Sequence, residues 1–291
     1  MKTILVTGAT GFIGSYVIDG LLQMGYNVIA SSAHTEKAIG KSWFNKVIYK
    51  PFNLSSFDNS VNCFEYFMKP DLLIHLAWAG LPNYKNDFHV AENLPANIQF
   101  LKNLLDNGLT DISVAGTCLE YGMKGGCLSE EMKCDPANAY AVAKNELRKW
   151  LENYALEKNF NFKWIRLFYI FGKGQNPNSL FSQLENAIFK EEEVFNMSAG
   201  EQVRDYLPIE SVAKYIIEIS LQNKTTGIIN CCSGAPVKII DLVEKFIKKS
   251  RSPIQLNKGY YPYPDYEPMA FWGNNSKLKK IINDERSDKR I

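Results

Sequence analysis

The sequence predicts a doubly wound α/β fold: a parallel sheet covered by helices on both faces, with a smaller C-terminal lobe. Three observations carry that expectation. The apolar run Thr3-Ile4-Leu5-Val6 leads straight into Thr7-Gly8-Ala9-Thr10-Gly11-Phe12-Ile13-Gly14, which reads as a strand, a glycine-spaced turn and the start of a helix. From there, strand-like and helix-like segments alternate as far as Phe168, the pattern of parallel strands joined by crossover helices. The run Leu72-Leu73-Ile74-His75-Leu76-Ala77 is almost continuously apolar, as a strand buried on both faces must be.

The elements follow in order. Ile13, Val17 and Leu21 repeat at helical spacing, so a helix is expected over 12–24. Strands are expected at 27–31, 47–49, 72–77, 112–115 and 162–165, with helices near 57–68, 90–107 and 139–158 between them. After Phe168 the rhythm breaks at the Gly/Pro/Asn loop 172–178. Beyond it come helices near 179–189, 209–221 and 239–249, short strands at 194–195 and 228–231, and an extended Pro/Tyr-rich stretch at 253–268. The charged tail 284–290 is expected to fray. Residues 1–168 therefore form the first domain and 169–291 a second lobe, from which the chain is free to cross back.

Composition narrows the function. The chain has 291 residues, 46% hydrophobic and 22% charged, with a net charge of +2. That balance gives no electrostatic case for nucleic acid. No run of about 18 apolar residues suggests a membrane span, and Met1-Lys2 enters a strand directly. The six cysteines form no CxxC pair and there are three histidines. No metal site is expected, and reduced thiols fit a cytoplasmic protein.

The glycine turn is a phosphate-binding device. Gly8 permits the tight turn, Gly11 lets the backbone approach a pyrophosphate, and Gly14 lets the helix pack close to the strand. The helix N-terminus offers free N–H groups and partial positive charge to an anion. In this arrangement a carboxylate ending the second strand accepts a ribose 2′-hydroxyl and marks NAD. Residues 28–34 contain none. Ser32 is a small donor there, and His34, Lys37 and Lys41 follow, either facing a 2′-phosphate or standing as solvated loop charges.

Three separated residues suggest the chemistry. Tyr140 and Lys144 are four apart on one helical face. A phenol titrates near pH ~10 unaided, so a neighbouring cation helps it to exchange a proton near neutrality. Thr117 falls at the carboxyl edge of the fifth strand, where such sheets bind ligands; it can bind a substrate oxygen or simply cap a turn. Arg204 stands beside Asp205, with which a surface salt bridge can form.

Taken together, Thr7-Gly8-x-x-Gly11-Phe12-Ile13-Gly14, His75-Leu76-Ala77, Asn97, Thr117 with Tyr121-Gly122, Tyr140-x-x-x-Lys144 and Arg204-Asp205-Tyr206 resemble the extended short-chain dehydrogenase/reductase family, in its nucleotide-sugar epimerase/dehydratase branch. The resemblance covers nearly the whole chain. It implies a Rossmann-type NAD(P) domain and a nucleotide-sugar-binding lobe. It implies Thr117, Tyr140 and Lys144 as the catalytic set, with Tyr140 as acid/base. Gly8, Thr10, Gly11, Phe12, Ile13, Ser32, His34, Lys37, Asn53, Leu54, Leu76, Ala77, Trp78, Asn97, Tyr140, Lys144 and Phe168 would hold the cofactor. Trp78, Thr117, Cys118, Tyr140, Tyr169 and Arg204 would meet the substrate, Arg204 at its diphosphate. Tyr84, Tyr206, Phe271 and Trp272 either line a sugar or base pocket or pack ordinarily.

Departures from the family pattern narrow the reaction. Sugar 4,6-dehydratases carry Thr-Asp-Glu where this chain has Thr117-Cys118-Leu119, so the acid and base for elimination are missing. Epimerase–reductases of the GDP-fucose synthase kind use a Cys/His pair, and their cysteine position falls on Leu119. Asn53 replaces an adenine-contacting Asp. The run 116–122 resembles most the sugar-nucleotide 4-ketoreductases, CDP-abequose synthase and dTDP-6-deoxy-hexose 4-reductases among them. The resemblance thus implies an NADPH-dependent reductase (NAD remaining open) of a CDP- or dTDP-linked 4-keto-6-deoxy sugar, serving surface polysaccharide and lipopolysaccharide synthesis. The alternative is an NAD-dependent 4-epimerase. A homodimer is expected across helices 90–107 and 139–158, although the stripe Leu94, Ile98, Leu101, Leu105 can serve the sheet instead.

Overall fold

A computed structural model describes residues 2–56, 58 and 60–288. Seven parallel strands form the central sheet: β1 Thr3–Thr7, β2 Asn27–Ser31, β3 Ile48–Tyr49, β4 Leu72–His75, β5 Asp111–Thr117, β6 Asn161–Leu167 and β7 Gly227–Cys231. Their spatial order is β7-β6-β5-β4-β1-β2-β3. The winding reverses between β4 and β1, and ligands bind such sheets at the carboxyl edge of that crevice.

Side-chain alternation explains how both faces are buried. Ile4 and Val6 join one core with Val17, Ile18 and Leu21 of helix Phe12–Gln23 and Ile216 and Ile217 of helix Ile209–Leu221. Leu5, between them, joins the opposite core with Phe100, Leu101 and Leu104 of helix Leu94–Asp106 and Leu147 and Leu151 of helix Ala139–Glu157. Of the expected dimer stripe, Leu101 and Leu105 are buried in that core and Leu94 and Ile98 pack against it.

The C-terminal lobe has its own core. Phe181 and Leu184 of helix Leu180–Phe189 meet Ile240 and Val243 of helix Ile239–Ser250 over strand Val194–Met197, which pairs in parallel with Gln255–Lys258. The chain crosses back twice. Helix Ile209–Leu221 and β7 complete the sheet, and the final helix Ser276–Asp288 buries Leu278 and Ile281 in the first core.

Several expectations need correction. The helix expected over 57–68 is only Cys63–Tyr66, capped by Asn62 and ended by left-handed backbone at Met68 and Lys69 before Pro70; residue 57 lies outside the described residues. The helix expected from residue 90 begins as the wide turn His89–Asn93 and becomes α-helical at Leu94. The stretch 253–268 is a strand only over Gln255–Lys258 and then turns. The tail expected to fray is helical through Asp288, because Leu278 and Ile281 anchor the same helix; residues 289–290 lie outside the described residues.

Gly14 sits where the first helix crosses the turn. A Cβ there would lie 2.2 Å from the Gly8 carbonyl oxygen, and backbone cannot step aside as a flexible side chain can. Gly14→Ala is expected to cost about 1–3 kcal/mol. The loss should appear as a lower urea midpoint at unchanged m-value; a wild-type midpoint would refute the close packing.

Candidate active site

The phosphate turn follows from the sheet. Gly8 ends β1 with φ +70°, and a Cβ on it would lie 2.7 Å from the Leu76 carbonyl carbon and 2.8 Å from the Ala77 nitrogen. Only glycine allows that approach. The helix then starts at Gly11 with no side-chain cap and no acidic residue in its first turn. Its leading amides are available to an anion, so the cradle fits a dinucleotide pyrophosphate.

The other expected cofactor residues are placed as follows. Thr10 belongs to the turn, and Phe12 and Ile13 face the cleft. Ser32 follows β2, its hydroxyl 2.8 Å from that of Tyr49. His34 stands exposed 3.3 Å from Glu36, and Lys37 lies exposed in the short helix Thr35–Ile39. Asn53 is exposed and accepts the Ser55 N–H at 3.1 Å, while Leu54 packs on the second core. Asn97 lies behind the edge of the sheet, fully occupied: its oxygen is 2.6 Å from His75 Nε2 and its amide donates to the Asn93 carbonyl. That fixes the proton on His75 Nε2 and leaves Nδ1 to accept from Thr7 at 2.8 Å. Burial holds this imidazole neutral, with its pKa down to about 4.

Thr117, Tyr140 and Lys144 converge at the end of β5. The long helix opens with Asn138 capping the Ala141 N–H, which puts Tyr140 in its first turn with its own N–H donated to the Tyr84 carbonyl at 3.0 Å. The Tyr140 ring is enclosed by Trp78, Tyr84 and His89. Burial drives its phenol far above the ordinary range; the Thr117 hydroxyl, a hydrogen-bond partner, opposes the rise. One turn on, Lys144 donates to the Ala115 carbonyl at 2.9 Å and its ammonium lies 3.9 Å from the centre of the Trp78 ring. Burial brings it down to about 7. The Trp78 indole is held by donating to His89 Nδ1 at 3.1 Å. The phenol thus keeps a proton to give, beside a lysine close to its own titration point.

A cleft of about 670 Å³ opens beside this set, between the sheet edge and the lobe. Thr117, Cys118, Tyr140, Phe168, Tyr169 and Arg204 line it, as do Tyr84 and Tyr206. Burial pushes the Cys118 thiol well up, away from the thiolate form that a nucleophile needs. Phe271 packs behind the wall against Phe168 and Tyr169. Arg204 does not pair with Asp205. It donates to Glu267 at 2.9 Å and lies 4.5 Å from the Phe271 ring centre. Asp205 instead accepts the backbone N–H groups of Ser233 and Gly234 at 2.7 and 2.8 Å. Among the described residues no cluster of His, Cys, Asp or Glu could hold a metal ion, and no helix is long and apolar enough to cross a membrane.

Two acidic residues escaped the sequence reading. Glu267 faces Arg204 from 63 residues away, and only the fold reveals it. Glu120 was legible: Thr117-x-x-Glu120 is a capping box, and both of its hydrogen bonds form here.

Comparison with known proteins agrees with this geometry. The NAD dependent epimerase/dehydratase family matches residues 4–232. The chain belongs to that family and is an NAD(P)-dependent enzyme of it, as the ordered motifs imply. It is similar to a dTDP-6-deoxy-L-talose 4-dehydrogenase (NAD(+)) of Aggregatibacter actinomycetemcomitans, 32% identical over 271 residues, covering 93% of this chain and 98% of that one. It is also similar to a UDP-glucuronate 4-epimerase of Thermodesulfobacterium geofontis, 25% identical over 295 residues, covering 96% and 90%. The structure of UDP-glucose 4-epimerase from Thermotoga maritima with UDP-glucose superposes with a TM-score of 0.82 at 20% identity, covering 96% and 91%, and shares the fold.

The buried lysine gives a pH prediction. Its ammonium titrates near 7 when folded, against an ordinary 10.5. Below 7 it is charged in both states and its desolvation is fully felt. Between 7 and 10.5 the unfolded chain binds the extra proton, so this site's contribution to stability rises with pH. Lys144→Met, compared with wild type, is expected to be more favourable at pH 6 than at pH 10, by about 1.4 kcal/mol per unit of separation. Denaturant midpoints at the two pH values test this; equal differences would show that Lys144 is not desolvated.

Proposed function

We propose that the protein is an NADPH-dependent reductase of a nucleoside-diphosphate 4-keto-6-deoxy sugar, CDP- or dTDP-linked. The observation that carries the reading is the meeting of Thr117 and Tyr140 at the cleft, over Lys144, with Cys118-Leu119 beside them in place of an acid/base pair. That arrangement serves carbonyl reduction and offers nothing for eliminating water. The 32% relative, a 4-dehydrogenase of a 6-deoxy sugar by name, would run the same step in reverse.

The residues divide the work. The Gly8–Gly14 turn holds the pyrophosphate. Ser32, His34 and Lys37 accept the 2′-phosphate, and Arg204 receives the sugar-nucleotide diphosphate once Glu267 gives way. When bound, the nicotinamide supplies a hydride to the carbonyl carbon. Tyr140 gives its proton to the developing alkoxide and Thr117 hydrogen-bonds the same oxygen, stabilisation that a dry site strengthens. Lys144 supplies positive charge behind the phenol as it ionises, and a proton from solvent restores Tyr140. The relative's name specifies NAD(+), so cofactor preference rests on Ser32, His34 and Lys37 alone. A homodimer across helices Leu94–Asp106 and Ala139–Glu157 belongs to the same reading; light scattering at micromolar concentration tests it.

The second reading is an NAD-dependent 4-epimerase, favoured by the relative of that name. One assay separates the two. Added NADPH should be oxidised stoichiometrically with CDP- or dTDP-4-keto-6-deoxyglucose. Interconversion of a UDP-hexose without net cofactor consumption, and no oxidation with any keto sugar, would overturn the reductase. Faster NADH oxidation would reject only the assignment of Ser32, His34 and Lys37. Tyr140→Phe is expected to lower turnover by ~10²–10⁴-fold with cofactor binding retained; retention of more than about a tenth of turnover would remove Tyr140 from its role.

A further inference from the structure

The groups behind Thr117 have no part in the chemistry above, yet they form a buried cluster of charged side chains. Glu120 is fully buried in the turn Cys118–Tyr121. One carboxyl oxygen accepts the Thr117 N–H at 2.9 Å and the Trp164 indole N–H at 2.9 Å. The other accepts from Arg166 Nε at 2.8 Å, and Arg148 Nε stands 3.9 Å away. Arg148 is in turn ion-paired with Glu152, and Arg166 reaches the Cys134 sulfur at 2.8 Å. Charged side chains are brought into a protein interior only when paired.

The approach of Glu120 to β5 is built in. A Cβ on Gly116 would lie 2.7 Å from the Glu120 carboxyl oxygen and 2.2 Å from the Trp164 indole nitrogen. Glycine at that position is what lets both groups reach the strand. The same two peptides carry the lysine: Lys144 donates to the Ala115 carbonyl, and Glu120 accepts the Thr117 N–H. Glu120 and Lys144 therefore grip adjacent peptide units at the end of β5.

We propose that Glu120 is a positioning residue for the reduction assigned above, fixing the Thr117 peptide at the cleft next to the Ala115 peptide that Lys144 holds, and so setting a buried carboxylate behind the same stretch of β5 as the lysine. The other groups around Lys144 do not supply that charge. His75 on β4 and His89 on the turn before Leu94 feel the Lys144 charge from neighbouring elements, and both imidazoles are lowered, mainly by burial. Trp78 offers a ring face, and Tyr140 on the same helix holds its proton. Against the desolvation that lowers Lys144, Glu120 is the opposing charge. Its partners Arg166 and Arg148 lie on β6 and on the long helix.

This inference rests on the reductase reading, but its test need not. Lysine labelled with ¹³C at Cε gives a titration curve for Lys144, assigned by its loss in Lys144→Met. In Glu120→Gln, which keeps an acceptor for the Thr117 N–H but removes the charge, the Lys144 titration should fall by about one unit. The alkaline limb of the kcat/KM profile with the keto sugar should move the same way. Should that variant not fold, Arg166→Gln, which keeps a donor towards Glu120 but takes away the cation paired with it, should instead raise the Lys144 titration. An unmoved Lys144 titration in either folded variant would overturn the proposal, even if thermal stability drops. A shifted titration without keto-sugar reduction by wild type would instead uphold the coupling and refute the reductase.

Discussion

The cleft depends on β1 and the end of β4 meeting with no side chain between them. Gly8 lies against the Leu76–Ala77 backbone, and Gly14 lies against Gly8. That contact sets the angle at which the first helix leaves the sheet, and so the direction in which its free amides point. It also fixes the far side of the crevice. β4 is tied to β1 by the Thr7–His75 hydrogen bond, and His75 is tied through Asn97 to the helix behind. A chain of short polar contacts thus holds rigid the edge where the winding reverses.

Charge is distributed by the same economy of space. Where the interior carries formal charge it is paired, as in Glu120 with Arg166 or Lys163 with Asp111. Beside the cleft, burial pushes titratable groups towards neutrality, Tyr140 upward and Lys144 downward, with Glu120 opposing the fall at the lysine. The phenol therefore keeps its proton, while the lysine stands near its titration point and responds to small changes around it.

The sheet was readable because each of its strands obeys a local rule. Ile4, Leu5 and Val6 alternate between two buried faces, and the glycine spacing after them has only one geometric use. Thr117 and Tyr140 were named together as a catalytic set only through the family resemblance, and the fold brings them to one place at the end of β5. What escaped depends on long-range packing. Arg204 meets Glu267 because the loop before Phe271 folds back over the cleft. The helix Ser276–Asp288, whose end was expected to fray from residue 284, went unread because Leu278 and Ile281 gain their meaning only beside helix Ile209–Leu221. The short helix Cys63–Tyr66 starts only after its Asn62 cap and is stopped by left-handed backbone at Met68 and Lys69, neither of which periodicity reports.

The seventh strand has a consequence for how the protein is held together as one body. β7 pairs with β6 along Lys163–Leu167, five residues deep, although it follows β6 only after the chain has traversed much of the lobe. Cutting the polypeptide after residue 168 would therefore not liberate a finished domain. It would bare a strand edge carrying Trp164 and Ile165 and strip the cover given by helix Ile209–Leu221. Such an edge invites pairing with other chains. The two halves are interlaced rather than hinged on a single linker, so any opening of the cleft has to bend all of these chain crossings in concert.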